Sequence, residues 1–212
     1  MYQPPHFRET RLDVLHDLIR SEPLGLLVTN GPDGPVANPL PFLLDTDTPN
    51  GTLRAHCARA NPVWREIQAD PDMPVLVVFQ GPQAYVTPSW YATKQETGKV
   101  VPTWNYVIVQ ARGRAEVFEG ADWLSKQIRN LTESHEATRE KPWAVDNAPA
   151  DFVAAQTRGI VGIRIEIASL EGKWKVSQNR PPEDRTRVAA GYDEAERPDM
   201  AGLVRTYGAE RG

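Results

Sequence analysis

Sixteen residues, Thr103 to Phe118 (TWNYVIVQARGRAEVF), carry the longest strand signal in the chain and restrict what it can fold into. Aromatic and β-branched residues dominate the run, and Gly113 inside it marks an expected bulge or bend. A second strand is as plain: Val161, Ile163, Ile165 and Ile167 alternate with Gly162, Arg164, Glu166 and Ala168, the period of a half-buried strand. Leu24 to Asn30 and Val36 to Leu44 flank the turn Gly31-Pro-Asp-Gly34 and read as a hairpin. Thr52 to Ala58 follows as a strand, and Val75 to Phe79, apolar on both faces, as a central one. Gln80-Gly81-Pro82 reads as a turn before Ala84 to Val86. Leu170-Glu171-Gly172 reads as another, with Lys173 to Asn179 returning as a separate strand whose Lys173, Lys175 and Ser177 share one face.

Helical spacing appears between these runs. A first helix starts at Thr10 and buries Leu12, Leu15, Leu18 and Ile19; another follows Pro62; a third covers Ala121 to about Glu136. A short helix after Pro149 is expected to bury Phe152 and Val153 and to close at Gly159. From Pro181 the chain is charged and broken by prolines, with a last small helix around Met200, Leu203, Val204 and Tyr207. About six or seven strands joined by hairpins and loops predict an α+β, mainly β fold, an antiparallel barrel with peripheral helices. The expected division is one domain over residues 1–192 and a tail over 193–212.

Composition narrows the function classes. With 212 residues the chain can bury a substantial core. A formal charge of −4 argues against a broad nucleic-acid surface, so direct DNA binding is not the expectation. No apolar run has membrane-helix length and the first twenty or so residues lack a signal-peptide core, which predicts a cytoplasmic protein. The single Cys57 excludes an internal disulfide, and four scattered histidines, His6, His16, His56 and His135, offer no metal-ligand spacing.

The most chemically loaded stretch is Arg54-Ala-His56-Cys-Ala-Arg59-Ala-Asn61-Pro62, a strand running into a helix start. Asn caps free amides and Pro suits the first helical turn. With Arg59 just before it, this corner suits an anion such as a phosphate; the alternative is a structural helix start with a solvated arginine. Two other segments place polar groups beside aromatic ones, Ser89-Trp90-Tyr91 with Thr103-Trp104-Asn105-Tyr106, and Lys173-Trp-Lys-Val-Ser-Gln-Asn-Arg180.

Taken together, Met1 to Phe7, Pro23-Leu24-Gly25, Ala37-Asn38-Pro39-Leu40-Pro41, His56 to Pro62, Phe79 to Tyr85, Pro88 to Tyr91, Pro102 to Tyr106 and Gly172 to Arg180 resemble, in order, the PaiB family. That resemblance implies an FMN-binding split β-barrel of the pyridoxine-phosphate-oxidase type, a homodimer with flavin at the subunit interface. The family is described as negative transcriptional regulators of sporulation and degradative-enzyme genes. By similarity, Arg59 and Asn61 take the FMN phosphate, Asn38 and Leu40 present backbone groups to the flavin ring, and Trp104, Lys175, Gln178 and Asn179 complete the pocket. The family commonly has a histidine where this chain has Pro39, which removes an imidazole and a backbone N–H. Haem-dependent piperazate synthases resemble the same barrel and use a histidine at the position of His56 as axial iron ligand, which makes haem the alternative cofactor. Three functions are therefore expected in order: an FMN-binding regulator, a flavin-dependent oxidoreductase acting on a small substrate, and a haem enzyme.

Overall fold

The structure, a computed structural model, describes residues 1–209. In chain order the elements are β1 (Arg8–Glu9), α1 (Leu12–Ser21), β2 (Leu24–Gly31), β3 (Gly34–Pro41), β4 (Leu43–Asp45), β5 (Thr52–Ala58), α2 (Val63–Ala69) and β6 (Pro74–Val86). They continue with α3 (Thr93–Thr97), β7 (Thr103–Phe118), α4 (Ala121–Glu136), α5 (Ala150–Arg158), β8 (Ile160–Lys175), α6 (Pro182–Glu194) and α7 (Pro198–Ala209). The strands form one sheet in the order β3-β2-β6-β7-β8-β5-β4, with β1 paired to β8. β2 runs antiparallel to β3 and β6, and β5 antiparallel to β4 and β8. This is the expected α+β sheet fold with peripheral helices.

The chain divides into two compact units, one of Met1–Leu15, Gln80–Val109 and Glu171 onward, the other of His16–Phe79 and Gln110–Leu170. In the second unit, alternate residues of β5, β6 and β8 make the core: Leu53, Ala55 and Cys57; Val75, Val77 and Phe79; Val161, Ile163 and Ile165 are all buried. Burial pushes the Cys57 thiol up to about 11, so it behaves as a small apolar side chain. In the first unit, Val188 and Tyr192 of α6 and Met200 and Val204 of α7 are buried, and the Tyr192 ring meets Trp90 edge-on at 5.0 Å.

Several elements differ from the sequence expectation for identifiable reasons. Strand β6 runs on through Gly81-Pro82, where the buried set slips by one residue from Val75, Val77, Phe79 and Gly81 to Ala84 and Val86, and proline's φ is compatible with extended chain. Strand β8 likewise runs through Leu170-Glu171-Gly172. A Cβ on Gly172 would fall 2.1 Å from Leu15 Cδ2 and 3.2 Å from the Glu9 carbonyl oxygen, so this glycine admits β1 alongside and does not turn the chain. Gly113 plays the same part on β7, where a Cβ would lie 2.1 Å from the carbonyl oxygen of Glu166. The single strand expected over Val36 to Leu44 is split into β3 and β4 at Phe42, whose N–H donates to the Pro23 carbonyl at 2.8 Å. Leu12 is exposed while His16 joins the buried face of α1, its Nε2 2.9 Å from the Asn50 carbonyl oxygen. Phe152 is exposed and Val153 half-buried on α5. Helices α6 and α7 occupy the stretch read as proline-broken, since Pro181 and Pro182 sit at the start of α6 and Pro198 at the start of α7, where a missing N–H costs nothing. The final three residues of the expected tail lie outside the described residues.

One strand edge bears on the site. The Phe42-to-Pro23 bond and the continuous register Leu24↔Pro41 through Gly31↔Gly34 fix the parity of the β2–β3 ladder. In that parity the backbone groups of Asn38 and Leu40 face β2, while those of Pro35, Ala37, Pro39 and Pro41 face away from it. Pro39 therefore removes no sheet hydrogen bond.

Candidate functional site

The Arg54 to Pro62 corner belongs wholly to the second unit. Alternation along β5 turns Leu53, Ala55 and Cys57 into the core and leaves Arg54 and His56 on the opposite face. Arg54 is fully engaged there: Nη2 donates to Asp45 Oδ1 at 2.9 Å, Nε to Asp45 Oδ2, and Nη1 to Gln127 Oε1 of α4 at 2.7 Å. His56 is half-buried, and its Nδ1 is shut off from water with no hydrogen-bond partner. Burial holds its pKa below the ordinary histidine value, so the ring is neutral at pH 7.

Arg59 is held from four sides. Its N–H donates to the Gly159 carbonyl at 2.8 Å, Nε to the Arg158 carbonyl at 3.0 Å, Nη2 to the Ile160 carbonyl at 3.3 Å, and Nη1 to Glu119 at 2.5 Å. The Trp64 indole N–H in turn donates to the Arg59 carbonyl at 3.0 Å. Asn61 bridges two elements: its Oδ1 accepts from the Val63 N–H at 3.0 Å, which caps α2, and its Nδ2 donates to Asn38 Oδ1 at 2.8 Å. The other end of the Asn38 amide, Nδ2, is buried without a partner. Leu40, two residues on, is buried.

Beside this corner, α4 and α5 enclose a cleft of about 950 Å³. Leu124, Val145, Ala148 and Val153 provide its apolar lining, and its charged lining is Arg59, Arg129 and Arg158 with the carboxylates Glu119 and Asp146. Arg129 is paired with Asp146 at 2.6 and 2.8 Å, whereas the Arg158 side chain has no partner among the described residues. Val145, Ala148, Val153 and Thr157 also line a second hollow of about 300 Å³, in which His56 meets Ile128, Trp143 and Phe152. Trp143 and Phe152 are 48% and 55% exposed, large apolar groups lying open at a cavity mouth. The two hollows share one wall of α5, with guanidinium groups at one and a neutral imidazole at the other. Such a surface accommodates an elongated molecule with an anionic end and an aromatic body.

The remaining expected site residues lie in the first unit. Lys175 Nζ donates to Thr103 Oγ1 at 2.5 Å and to the Trp104 carbonyl. Gln178 uses both ends of its amide on the backbone, accepting from the Val176 N–H at 2.8 Å and donating to the Trp174 carbonyl at 2.5 Å. It fixes the bend that follows β8. Trp104 is 54% exposed, its ring 6.0 Å from Tyr85, and Asn179 is exposed. Lys173 is buried, donating to the Tyr2 carbonyl at 3.1 Å.

Sequence reasoning missed Arg158, Glu119, Trp143 and Thr157 as cleft residues. The available signal was α5 itself, a short helix whose apolar Phe152 and Val153 have no matching core. Among the described residues, no group of three or more His, Cys, Asp or Glu is gathered for a metal ion, and no helix is long and apolar enough to cross a membrane.

Comparison with known proteins places this geometry in context. Residues 1–169 match the family described as "Putative FMN-binding domain". The chain is 32% identical over 199 residues to the Bacillus subtilis protease synthase and sporulation protein PAI 2, covering 94% of this chain and 92% of that one. Among solved structures, the flavocytochrome Anf3 of Azotobacter vinelandii superposes with a TM-score of 0.58 at 14% identity, over 79% of this chain and 69% of that one. The FAD and heme binding protein of Mycobacterium smegmatis gives 0.58 at 18% identity, over 79% and 73%. At these identities the two structures establish likeness of fold.

Proposed function

Since this chain belongs to the PaiB family of FMN-binding-domain proteins, we propose that its cleft beside β5 holds FMN and that it acts in the cytoplasm as a homodimeric negative transcriptional regulator. The observation that carries the flavin reading is the continuous α5 wall with guanidinium groups at one hollow and an unpartnered, neutral His56 among apolar side chains at the other. The residues present fit such a group. Arg59 and Arg158 supply donors for a phosphate, and Ile128, Trp143 and Phe152 supply apolar surface for a ring system. Asn61 and Asn38 hold the corner, and the buried Asn38 Nδ2 is a donor still free to be used. Leu40, on the same strand as Asn38, is buried. When bound, FMN would supply redox chemistry, and the chain's task is to orient it and to exclude water from one side.

The test is the absorption spectrum of the purified protein before and after adding FMN. A flavin band near 450 nm, approximately, that survives gel filtration supports the reading. Its absence at saturating FMN, together with no change in Arg59→Gln, rejects it. The regulatory part is tested by gel shift on the protein's own promoter region at low salt, since the acidic chain is a poor match for DNA on charge alone. No shift would confine regulation to a route through a partner protein.

A flavin-dependent oxidoreductase is the enzymatic version of the same reading, and NAD(P)H bleaching of bound flavin under anaerobic conditions would favour it. One observation favours haem as a second cofactor: the imidazole of His56 lines an apolar hollow and its buried Nδ1 has no hydrogen-bond partner. Loss of a Soret band near 400 nm, approximately, in His56→Ala with FMN retention intact would support haem there.

A further inference from the structure

Arg59 lines the large cleft already oriented and already paired. Its Nε and Nη2 are spent on the Arg158 and Ile160 carbonyls, two neutral acceptors that fix the plane of the guanidinium without cancelling its charge. Nη1 makes the ion pair, to Glu119 Oε2 at 2.5 Å, and among the described residues Glu119 is the one carboxylate bonded to Arg59. The two side chains are 37% and 46% exposed, so water screens the pair and it holds weakly. Arg129, a second guanidinium of the cleft, is closed by both oxygens of Asp146. Arg158 is the third, and its side chain has no partner among the described residues.

The fold leaves Glu119 free to move only by its side chain. It lies in the link between β7 and α4, and Phe118 before it stacks on Trp123 beyond it, with ring centroids 4.7 Å apart and planes 8° from parallel. That stack closes the corner and holds the backbone on both sides of Glu119. Its carboxylate is nearly half exposed, so rotation about the side-chain bonds carries it into water without opening the fold. Arg59 stays in place when Glu119 leaves. The bonds to the Gly159, Arg158 and Ile160 carbonyls, and the Trp64 indole N–H on the Arg59 carbonyl, do not involve Glu119.

We infer that Glu119 is an internal counter-ion seated where the phosphate of the bound ligand goes, and that Arg158 is the donor that draws the phosphate in to displace it. The inference rests on the flavin reading for the identity of the ligand, and deepens it by naming what the cleft selects: a phosphate monoester over the same molecule without its phosphate. Such a group carries a charge of about −1.5 to −2 at pH 7 and several acceptor oxygens, against a single charge on a carboxylate. It therefore outcompetes Glu119 for a guanidinium that is already oriented, while another of its oxygens accepts from Arg158. A ligand with no anionic group leaves the Arg59–Glu119 pair intact and gains nothing there. Asn61, expected at the phosphate, is instead spent on the Val63 N–H and on Asn38, which leaves Arg158 to fill that role.

Purified full-length protein is titrated at constant ionic strength with FMN and with riboflavin, the same ring without the phosphate, each followed by flavin fluorescence. Inorganic phosphate is titrated separately, followed by melting temperature. Glu119→Gln removes the competitor and should bind FMN about threefold to fivefold more tightly, the weight of one exposed ion pair, with riboflavin unchanged. Asp122→Asn removes the same charge from the first turn of α4, outside the cleft lining, and should shift FMN affinity by less than about twofold. Arg158→Gln should weaken FMN by about tenfold and leave riboflavin unchanged. A gain of affinity in one variant does not arise from misfolding. Unchanged FMN affinity in Glu119→Gln or in Arg158→Gln, an equal gain in Asp122→Asn, or equal changes for FMN and riboflavin overturns the inference while the flavin reading stands. If the natural chain takes up no FMN, the flavin reading fails and inorganic phosphate decides the rest. A saturable rise in melting temperature, stronger in Glu119→Gln and weaker in Arg158→Gln, keeps the phosphate seat, and its absence overturns it.

Discussion

The side-chain nitrogen of Asn61 donates to Asn38 Oδ1 at 2.8 Å, while the nitrogen of Asn38 itself lies buried with no partner. One amide pair therefore ties the start of α2 to β3. Asn61→Ala removes both this bond and the cap on Val63, and should lower unfolding free energy by about 1–2 kcal/mol in urea titrations. Asn61→Asp keeps an acceptor for Val63 and loses only the donor to Asn38, so its loss should be smaller.

His56 gives the fold a defined response to acid. Burial lowers its folded-state pKa below the unfolded value, so below about pH 6.5 the unfolded chain binds more protons. Stability contributed by the neutral ring is then present above the unfolded pKa and is lost as pH falls through the folded one. Chemical unfolding at pH 7.5 and pH 5 should show a larger drop for the natural chain than for His56→Phe. Equal drops would mean that the ring titrates as if in water.

Glu9 responds in a different window. Burial alone would raise its pKa, but hydrogen bonds from the Arg11 side chain and backbone and from Tyr207 bring it to about 2. Its contribution is complete above about pH 4.5 and disappears as pH falls toward 2. Glu9→Gln should cost about 1–3 kcal/mol at pH 7, because charge-assisted bonds from Arg11 at 2.7 Å and Tyr207 at 2.8 Å are weakened together. The penalty should shrink at pH 3, measured by the same unfolding titration.

Gly113 admits no side chain. Gly113→Ala places a methyl against the backbone of β8, where a rigid carbonyl cannot move aside as a flexible side chain would. A loss of about 1–3 kcal/mol is expected. Hydrogen exchange should report it as reduced protection along β7 and β8, with α6 and α7 unaffected.

Local pattern made much of this fold legible. The bounds of β5, β7 and α4 follow directly from periodicity, since each has one buried face that must repeat every two or about 3.6 residues. The mistaken turn at Gly172 has a plain cause: glycine marks either a reversal or a close approach, and only a neighbour elsewhere in the chain, here β1 on β8, decides which. The candidate site was legible as residue types at His56, Arg59 and Asn61. It was not legible as a cavity, because Arg158, Trp143 and Thr157 reach it only through the packing of α4 and α5. Gln178 was singled out for its chemistry, yet both ends of its amide are used up on the backbone.

The prolines of β3 also govern how copies of this chain can meet. Strand β3 ends the sheet, and Pro35, Pro39 and Pro41 stand at positions whose nitrogens point outward. The rim offers Ala37 as its lone N–H across those four outward positions, too few to template an added strand. Self-association through this border by continuous β-ladder is thereby discouraged, and subunits that meet along it must do so through side-chain surfaces. A histidine restored at position 39 would reopen one rung of that ladder without disturbing the sheet behind it.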